Sequence, residues 1–468
     1  MRGWSVSEVE IVDELRSIVG SANVDAEDEI NPDVLHDESL HPAPPEVCCV
    51  VRPRTHDEVC AIARCCREAG TPMVARGSGT GLSGAAVPVD GAVLISFERM
   101  DKIIEIDLTN HVAVVEPGVT LERLDNALAG SGLYYPVHPG ERSGSLGGNV
   151  ATNAGGMRAV RDGVTRHHVL GLTVVLADGT SLELGGKFVK SSTGYDLVQL
   201  LIGSEGTLAL VTKVIVKLSP RRDHRATLLA PFATLEEVTE AIPHLVATGV
   251  DPAILEYLDL LTMAGITAAA GLDLAIPPDV ADVALAYLVV VLESTAADRL
   301  DDDAAEVAQH LAELGAIDVY ELRPSVGAEL IAARERAFYV AKANGATDII
   351  DVVVPRAAVA PYLAEVSAIA SRRQTFITGC GHVGDGNVHL SVFEPDELVR
   401  EELLMELFRA GLDHGGAISG EHGIGTAKLS AYVALTDPVR LELERRIKAA
   451  FDPTTLLNPG RSMRGTPS

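Results

Sequence analysis

Residues 76–84 read Arg76-Gly77-Ser78-Gly79-Thr80-Gly81-Leu82-Ser83-Gly84, and the fold turns on how those glycines are used. Gly79 to Gly84 match the G-x-G-x-x-G pattern, which alone suggests a dinucleotide-binding βαβ unit. Such a unit needs a helix opening at the last glycine, with its N-terminus facing a pyrophosphate. Here the chain continues Ala85-Ala86-Val87-Pro88-Val89-Asp90-Gly91, and Pro88 and Gly91 prevent that helix. Four glycines between Gly77 and Gly84 exceed the needs of a plain turn. Closely spaced glycines permit positive φ, so successive backbone N–H groups can form an anion nest without a helix.

Two more glycine clusters lie downstream. One is Gly144-Ser145-Leu146-Gly147-Gly148-Asn149 followed by Asn153-Ala154-Gly155-Gly156; the other is Gly203-Ser204-Glu205-Gly206-Thr207. Together the three suggest one extended ligand lying close to the backbone.

The organisation falls into zones, and the expected divisions are 1–45, 46–222, 223–415 and 416–468. Residues 1–45 read as a helix and a Pro-rich arm ending at Pro44-Pro45. Residues 46–222 carry short strands: Val47–Val51, Met73–Ala75, Ala92–Ser96, Ile103–Asp107, Ala113–Glu116, Leu172–Leu176 and Leu208–Leu218. A helix is expected over Asp57–Ala69, with Thr55 as N-cap and Gly70 past its end, and another over Thr120–Ser131. An Asp178-Gly179 turn separates Leu176 from Leu182. From 223 to 415 strands (Ile254–Leu258, Tyr287–Glu293, Ile349–Val354) alternate with helices (Leu235–Ala247, Arg299–Leu314, Ala357–Ser371), which predicts a second α+β domain. Residues 416–468 are glycine-rich again and are expected to return to the first domain.

The 468 residues hold 38 basic and 66 acidic side chains, a net charge of −28. That argues against sequence-independent nucleic-acid binding and against adsorption to an anionic membrane. With 47% hydrophobic and 22% charged residues the composition is globular. Six cysteines without a Cys-x-x-Cys pair do not support a disulfide scaffold or a metal ribbon, and read as small buried residues in a reducing compartment. Met1 to Gly20 carries Glu8, Glu10, Asp13 and Glu14, an amphipathic helix pattern and not a secretory signal. Val283–Leu292, the most apolar stretch, is shorter than the ~20 residues of a membrane span. A cytoplasmic protein without a membrane span is expected.

Arg372 to Pro395 contains a hairpin pattern, with apolar runs flanking Gly384-Asp385-Gly386-Asn387 as a four-residue loop. In that register His382 faces His389 and Val383 faces Val388, so two imidazoles can share one metal ion. Ser419-Gly420-Glu421-His422-Gly423-Ile424-Gly425 offers a third ligand, Glu421. His382, His389 and Glu421 form a three-ligand set with an open position, the pattern of a catalytic metal site.

Four stretches resemble the FAD-binding domain of the vanillyl-alcohol oxidase/p-cresol methylhydroxylase superfamily. They are Pro53 to Pro88, Val115 to Gly118, Ser145 to Gly156 and Gly203 to Thr212. Within it the chain resembles the branch of D-lactate dehydrogenases, glycolate oxidase flavin subunits and D-2-hydroxyglutarate dehydrogenases, from about residue 43 to Arg461. The resemblance implies an α+β fold: a two-subdomain FAD-binding domain plus an α+β substrate (cap) domain with an antiparallel sheet. It implies non-covalent FAD, with Arg76, Gly77, Ser78, Gly79, Thr80, Gly81, Leu82 and Ser83 around the pyrophosphate. Pro139, Ser143, Gly147, Gly148, Asn149, Thr152, Asn153 and Gly156 would line the flavin. Glu205, Gly206 and Val211 would lie near the ribityl–adenine part, and Asn458 would return to the flavin ring. Ala209 departs from the glycine of many relatives.

The same branch implies a divalent metal, zinc or manganese, on His382, His389 and Glu421, with His422 as base. The metal would lower the pKa of a substrate hydroxyl, and FAD would take the hydride. Arg334 resembles the branch's substrate-carboxylate arginine, with Arg336 as a neighbouring competitor. The strand ending at Val354-Pro355 lacks the lysine of the 2-hydroxyglutarate enzymes, and Ser391 stands where they carry asparagine. Both departures favour a small 2-hydroxy monocarboxylate such as lactate or glycolate. Electrons are expected to pass to a quinone, cytochrome or electron-transfer flavoprotein, and a homodimer is a family-level expectation. The alternatives are a D-2-hydroxyglutarate dehydrogenase, an alkylglycerone-phosphate-synthase-like transferase and a non-catalytic flavin subunit.

Overall fold

A computed structural model of the chain describes residues 6–40 and 46–461. Met1 to Ser5 and the Pro44-Pro45 end of the arm lie outside the described residues. The N-terminal helix runs Val6–Val19 and buries Leu15 and Val19 against the helix His56–Ala69 through Val59 and Ile62. Thr55 Oγ1 accepts the Glu58 N–H, and Gly70 takes the left-handed conformation that ends the second helix. This helix connects the parallel strands Cys49–Val51 and Met73–Arg76, both paired with Val93–Ser96, in a four-stranded sheet that Val24–Asp25 completes. No helix follows Gly84; the chain runs through turns to Val93.

A second, five-stranded antiparallel sheet runs in the order Ile103–Asp107, Val112–Val115, Leu210–Lys217, Val169–Val175, Ser181–Gly185. The helix expected over Thr120–Ser131 is shorter, Leu121–Ala127. Gly130 and Gly132 both adopt positive φ and turn the chain out of the helix. A short helix, Leu146–Thr152, carries the second glycine cluster; Ser145 Oγ accepts the Gly148 N–H.

Beside a two-stranded pairing of Leu133–Tyr134 with Ser219–Pro220, the largest sheet is antiparallel and seven-stranded, ordered Tyr320–Glu321, His224–Phe232, Ala286–Ser294, Ile254–Asp259, Ile377–His382, Asn387–Val392, Asp348–Val353. Alternation splits its side chains between two faces. Leu255, Tyr257, Val290, Ile350, Val352, Val388 and Leu390 pack under the helices Leu235–Ala247, Ala297–Glu313, Val359–Arg373 and Glu397–Asp413. The opposite face carries Glu256, Cys380, His382, His389 and Asp351. After the helix Pro438–Phe451 the chain returns to the first sheet, where Leu457 bridges Met73.

One register expectation is corrected. His382 pairs with Asn387 and Cys380 with His389, so the loop is Val383–Gly386 and Asn387 belongs to the strand. The cause is tertiary: Asn387 Nδ2 donates to Asp351 Oδ1 (2.9 Å) and to Val352 O (3.1 Å), which draws Asn387 into the sheet. Gly386 turns the loop at φ 90°. His382 and His389 are therefore diagonal neighbours on one face, with ring centroids 4.8 Å apart, edge to face.

Candidate functional site

A cavity is lined by residues of both the four-stranded and the five-stranded sheet, and the three glycine clusters form its walls. Arg76, Gly77, Ser78, Gly79, Thr80, Gly81 and Leu82 line it, as do Pro139, Gly147, Gly148, Asn149, Thr152, Glu205, Gly206, Val211 and Asn458. Asn149 Nδ2 is buried here with no hydrogen-bond partner, a donor left for a ligand. Close backbone approach explains the glycines. A Cβ on Gly147 would stand 2.6 Å from Pro117 Cβ. Arg76 lies beneath the loop and donates to His36 O (2.5 Å). Asn458 Oδ1 accepts the Ala75 N–H (2.8 Å) and its Nδ2 donates to Glu205 O (2.6 Å), which ties the C-terminal return to the cavity floor.

Four expected residues stand elsewhere. Ser83 is buried, and its Oγ donates to Gly423 O (3.1 Å). Ser143 is exposed and bonded to Glu141. Asn153 caps the helix Leu146–Thr152 and accepts the Arg166 N–H (3.0 Å). Gly156 lines a second cavity, next door. Glu205 lines the first cavity, but its carboxylate turns away to accept the Gly425 N–H (2.9 Å).

The second cavity, of about 540 Å³, lies between the polar face of the large sheet and the helices Leu260–Ala270 and Ala337–Ala343. His382, His389, Glu421, His422 and Arg334 meet at its inner end. His382 Nε2 and His389 Nε2 each lie 3.3 Å from Glu421 Oε1. One ligand atom from each of these three residues falls within 4.8 Å of the others. His382 Nδ1 is 2.5 Å from Glu256 Oε1, the carboxylate–histidine arrangement that orients metal-binding imidazoles. Two imidazole nitrogens converging on one carboxylate oxygen form a donor set that fits a divalent cation. Burial would lower the His382 pKa, but Glu256 and Glu421 outweigh it and raise it to about 10. Burial pulls His422 down to about 4; Asp351 opposes this, while Lys428 and His389 reinforce it. The His422 ring stacks on His389 at 5.1 Å. Arg334 is buried, with Nε 2.8 Å from Glu256 Oε2 and Nη2 without a hydrogen-bond partner, whereas Arg336 is exposed.

The sequence reading missed the residues that build this arrangement. Asp351, fully buried, accepts through Oδ2 from Ser419 Oγ (2.7 Å) and from three successive N–H groups, Gly420 (3.0 Å), Glu421 (3.1 Å) and His422 (2.8 Å). Burial opposes its charge, yet His422, Lys428 and His389 hold its carboxyl well below the usual range. Lys428 Nζ, 3.4 Å from Asp351 Oδ2, donates to Ser419 Oγ (3.1 Å). Glu256 sits between His382 and Arg334. Glu256 and Asp351 share one available signal, a single acid inside an apolar strand: Ile254-Leu255-Glu256-Tyr257-Leu258 and Ile349-Ile350-Asp351-Val352-Val353.

Comparison with known proteins identifies the family. Residues 47–185 match the family described as FAD binding domain, and residues 221–462 match FAD linked oxidases, C-terminal domain. An uncharacterised FAD-linked oxidoreductase of Mycobacterium tuberculosis is 52% identical, covering 95% of this chain and 96% of its own. A D-lactate dehydrogenase of Archaeoglobus fulgidus is 38% identical, covering 89% of this chain and 91% of its own. A substrate-bound structure of p-cresol methylhydroxylase has the same fold, with a TM-score of 0.79 at 19% identity over 98% of both chains. Family models and relatives agree: the chain belongs to the FAD-linked oxidases, together with D-lactate dehydrogenases and glycolate oxidase subunits, and has the fold of p-cresol methylhydroxylase.

Proposed function

We propose that the protein oxidises a D-2-hydroxy monocarboxylate to the 2-oxo acid. The observation that carries this reading is that Leu82, Pro139, Glu421 and His422 line both cavities. An imidazole thus stands where the flavin compartment meets the substrate compartment. FAD, when bound in the first cavity, supplies the acceptor for the hydride that leaves C2. A divalent cation, zinc or manganese, held by His382, His389 and Glu421, would supply Lewis acidity toward the hydroxyl and carboxylate.

The chain's own residues do the rest. Arg334 offers its unpartnered Nη2 to the substrate carboxylate, a charge-assisted contact. Glu256 fixes the guanidinium from behind. His422 takes the hydroxyl proton. Asp351 keeps that imidazole in place by holding the His422 N–H. With no nicotinamide motif in the sequence, electrons leave to a quinone, cytochrome or electron-transfer flavoprotein.

An anaerobic absorbance titration tests the reading. A D-2-hydroxy acid should bleach the flavin band, and Glu421→Ala should stay yellow yet not bleach. A flavin that none of a broad series of hydroxy acids bleaches, or a fully active Glu421→Ala, would refute it.

A further inference from the structure

We propose that the substrate carries an extended apolar group on C2, an aliphatic chain of about four carbons or a benzyl group, in place of the hydrogen of glycolate or the methyl of lactate. This rests on the hydroxy-acid reading above and names the class within it. The groups able to hold a 2-hydroxycarboxylate all stand at one end of the second cavity: Arg334, His382, His389, Glu421 and His422. Outward from that end the walls are Leu261, Ile266, Phe338, Ile349, Phe376 and Phe393. The volume of about 540 Å³ falls in the range of pockets for drug-sized ligands, ~300–1,000 Å³. A three-carbon acid at the inner end would leave water against those walls.

Of the polar residues in the outer part, Ser391 keeps a free hydroxyl, and Thr262, Thr378 and Asn344 are already engaged. Thr262 Oγ1 and Thr378 Oγ1 lie 3.0 Å apart, and Thr378 Oγ1 donates to Asp259 Oδ2 (2.7 Å). Asn344 Nδ2 donates to Val340 O (2.8 Å). Among the described residues lining the cavity, Arg334 supplies the one guanidinium and no lysine is present. A second carboxylate on the substrate would find apolar walls and no second arginine or lysine there, which disfavours a dicarboxylate by its desolvation cost. At the mouth, Leu261 is 54% and Phe376 48% exposed, an apolar rim that suits the entry of an apolar chain.

The test compares kcat/KM for glycolate, D-lactate, D-2-hydroxyhexanoate, D-phenyllactate and D-2-hydroxyglutarate, with a dye as acceptor. Burying a methylene is worth about fourfold in kcat/KM, so D-2-hydroxyhexanoate, with three more methylenes, should exceed D-lactate by roughly sixtyfold. D-2-hydroxyglutarate should fall below both. A flat or falling series, with the flavin still reduced by lactate or glycolate, overturns the inference and leaves the proposed reaction standing. No reduction by any of the five overturns both. Ala341 lines the outer part on the helix Ala337–Ala343. Ala341→Phe should cut the ratio of hexanoate to lactate kcat/KM at least tenfold, and an unchanged ratio overturns the placement of the chain.

Discussion

Replacing Asp351 by asparagine tests the central construction of the site. One oxygen becomes an amide NH₂, and every neighbour of that carboxylate is a donor. Turned toward the loop, the NH₂ would face Ser419 Oγ and the N–H groups of Gly420, Glu421 and His422, now within 2.7–3.1 Å of Oδ2. Turned the other way it meets Asn387 Nδ2, 2.9 Å from Oδ1, and Asn387 must flip and give up its bond to Val352 O. The second arrangement is cheaper, because the loop keeps an oxygen acceptor. It still loses the charge: four charge-assisted bonds become neutral ones, and the buried Lys428 ammonium, 3.4 Å away, loses its counter-ion. Breaking a buried pair from one side costs about 3–5 kcal/mol. A stability loss of that size lowers Tm by roughly 10 °C for a unit the size of the cap. A loop released by about 1 Å moves His422 and Glu421 enough to cut kcat/KM about a hundredfold. Differential scanning calorimetry and steady-state dye reduction read the two effects. A variant with wild-type Tm and wild-type kcat/KM would refute the reasoning.

Glu256→Gln keeps the shape but removes the carboxylate behind His382 and Arg334; affinity for added zinc or manganese, by calorimetric titration, should fall about 10–100-fold. Gly155→Ala would place a Cβ 2.8 Å from Glu421 Oε2, the far end of a flexible side chain. The fold should persist while Glu421 is displaced, so flavin content stays near wild type and turnover falls at least tenfold. Glu293 joins Arg158 (2.6 Å) and Arg161 (2.9 Å), linking the large sheet to the segment after the flavin cavity. Burial pushes its carboxyl up, but the two arginines outweigh this and hold it below its usual range. Its stabilisation is therefore full above the unfolded value of about 4.3 and is lost as pH falls through the lower folded value. Glu293→Gln should cost about 3 kcal/mol at pH 7 by urea denaturation, with variant and wild type converging in acid.

Local signals carried much of the fold. Thr55 and Gly70 bracket a helix because a hydroxyl and a left-handed glycine satisfy its ends, and that chemistry needs only neighbours in sequence. The helix Leu235–Ala247 is legible from the spacing of its apolar residues, which likewise needs only neighbours in sequence. The hairpin shows where such reading stops. Gly386 marks the turn, but the register depends on Asn387 reaching Asp351, which is 36 residues away. The site divides likewise. Histidines beside glycines stand out, whereas Glu256 and Asp351 lie in strands that read as ordinary core until the sheet sets them against His382 and the Ser419–His422 loop. Resemblance to a family gives positions and not directions, which is why Ser83, Ser143 and Asn153 stand close to the flavin cavity without lining it.

The loop from Ser419 to Gly425 explains the presence of two buried carboxylates. A glycine-rich loop has few side chains to pack, so the surrounding protein can grip it only by its backbone. Asp351 holds its first part from the large sheet through three consecutive N–H groups. Glu205 holds its end from the flavin side through the Gly425 N–H, and Ser83 O accepts from Thr426 and Ala427 just beyond. Apolar packing could not do this, because each N–H buried without an acceptor would cost about 1–3 kcal/mol. Glu421 and His422 belong to the first grip, and Gly423 and Ile424 join them directly to the second. Their distances to His382 and His389 on one side, and to the flavin cavity on the other, therefore depend on both halves of the molecule at once. A shift of the large sheet against the smaller ones would pull the loop from one anchor or the other, and the carboxylate and base would leave their places together.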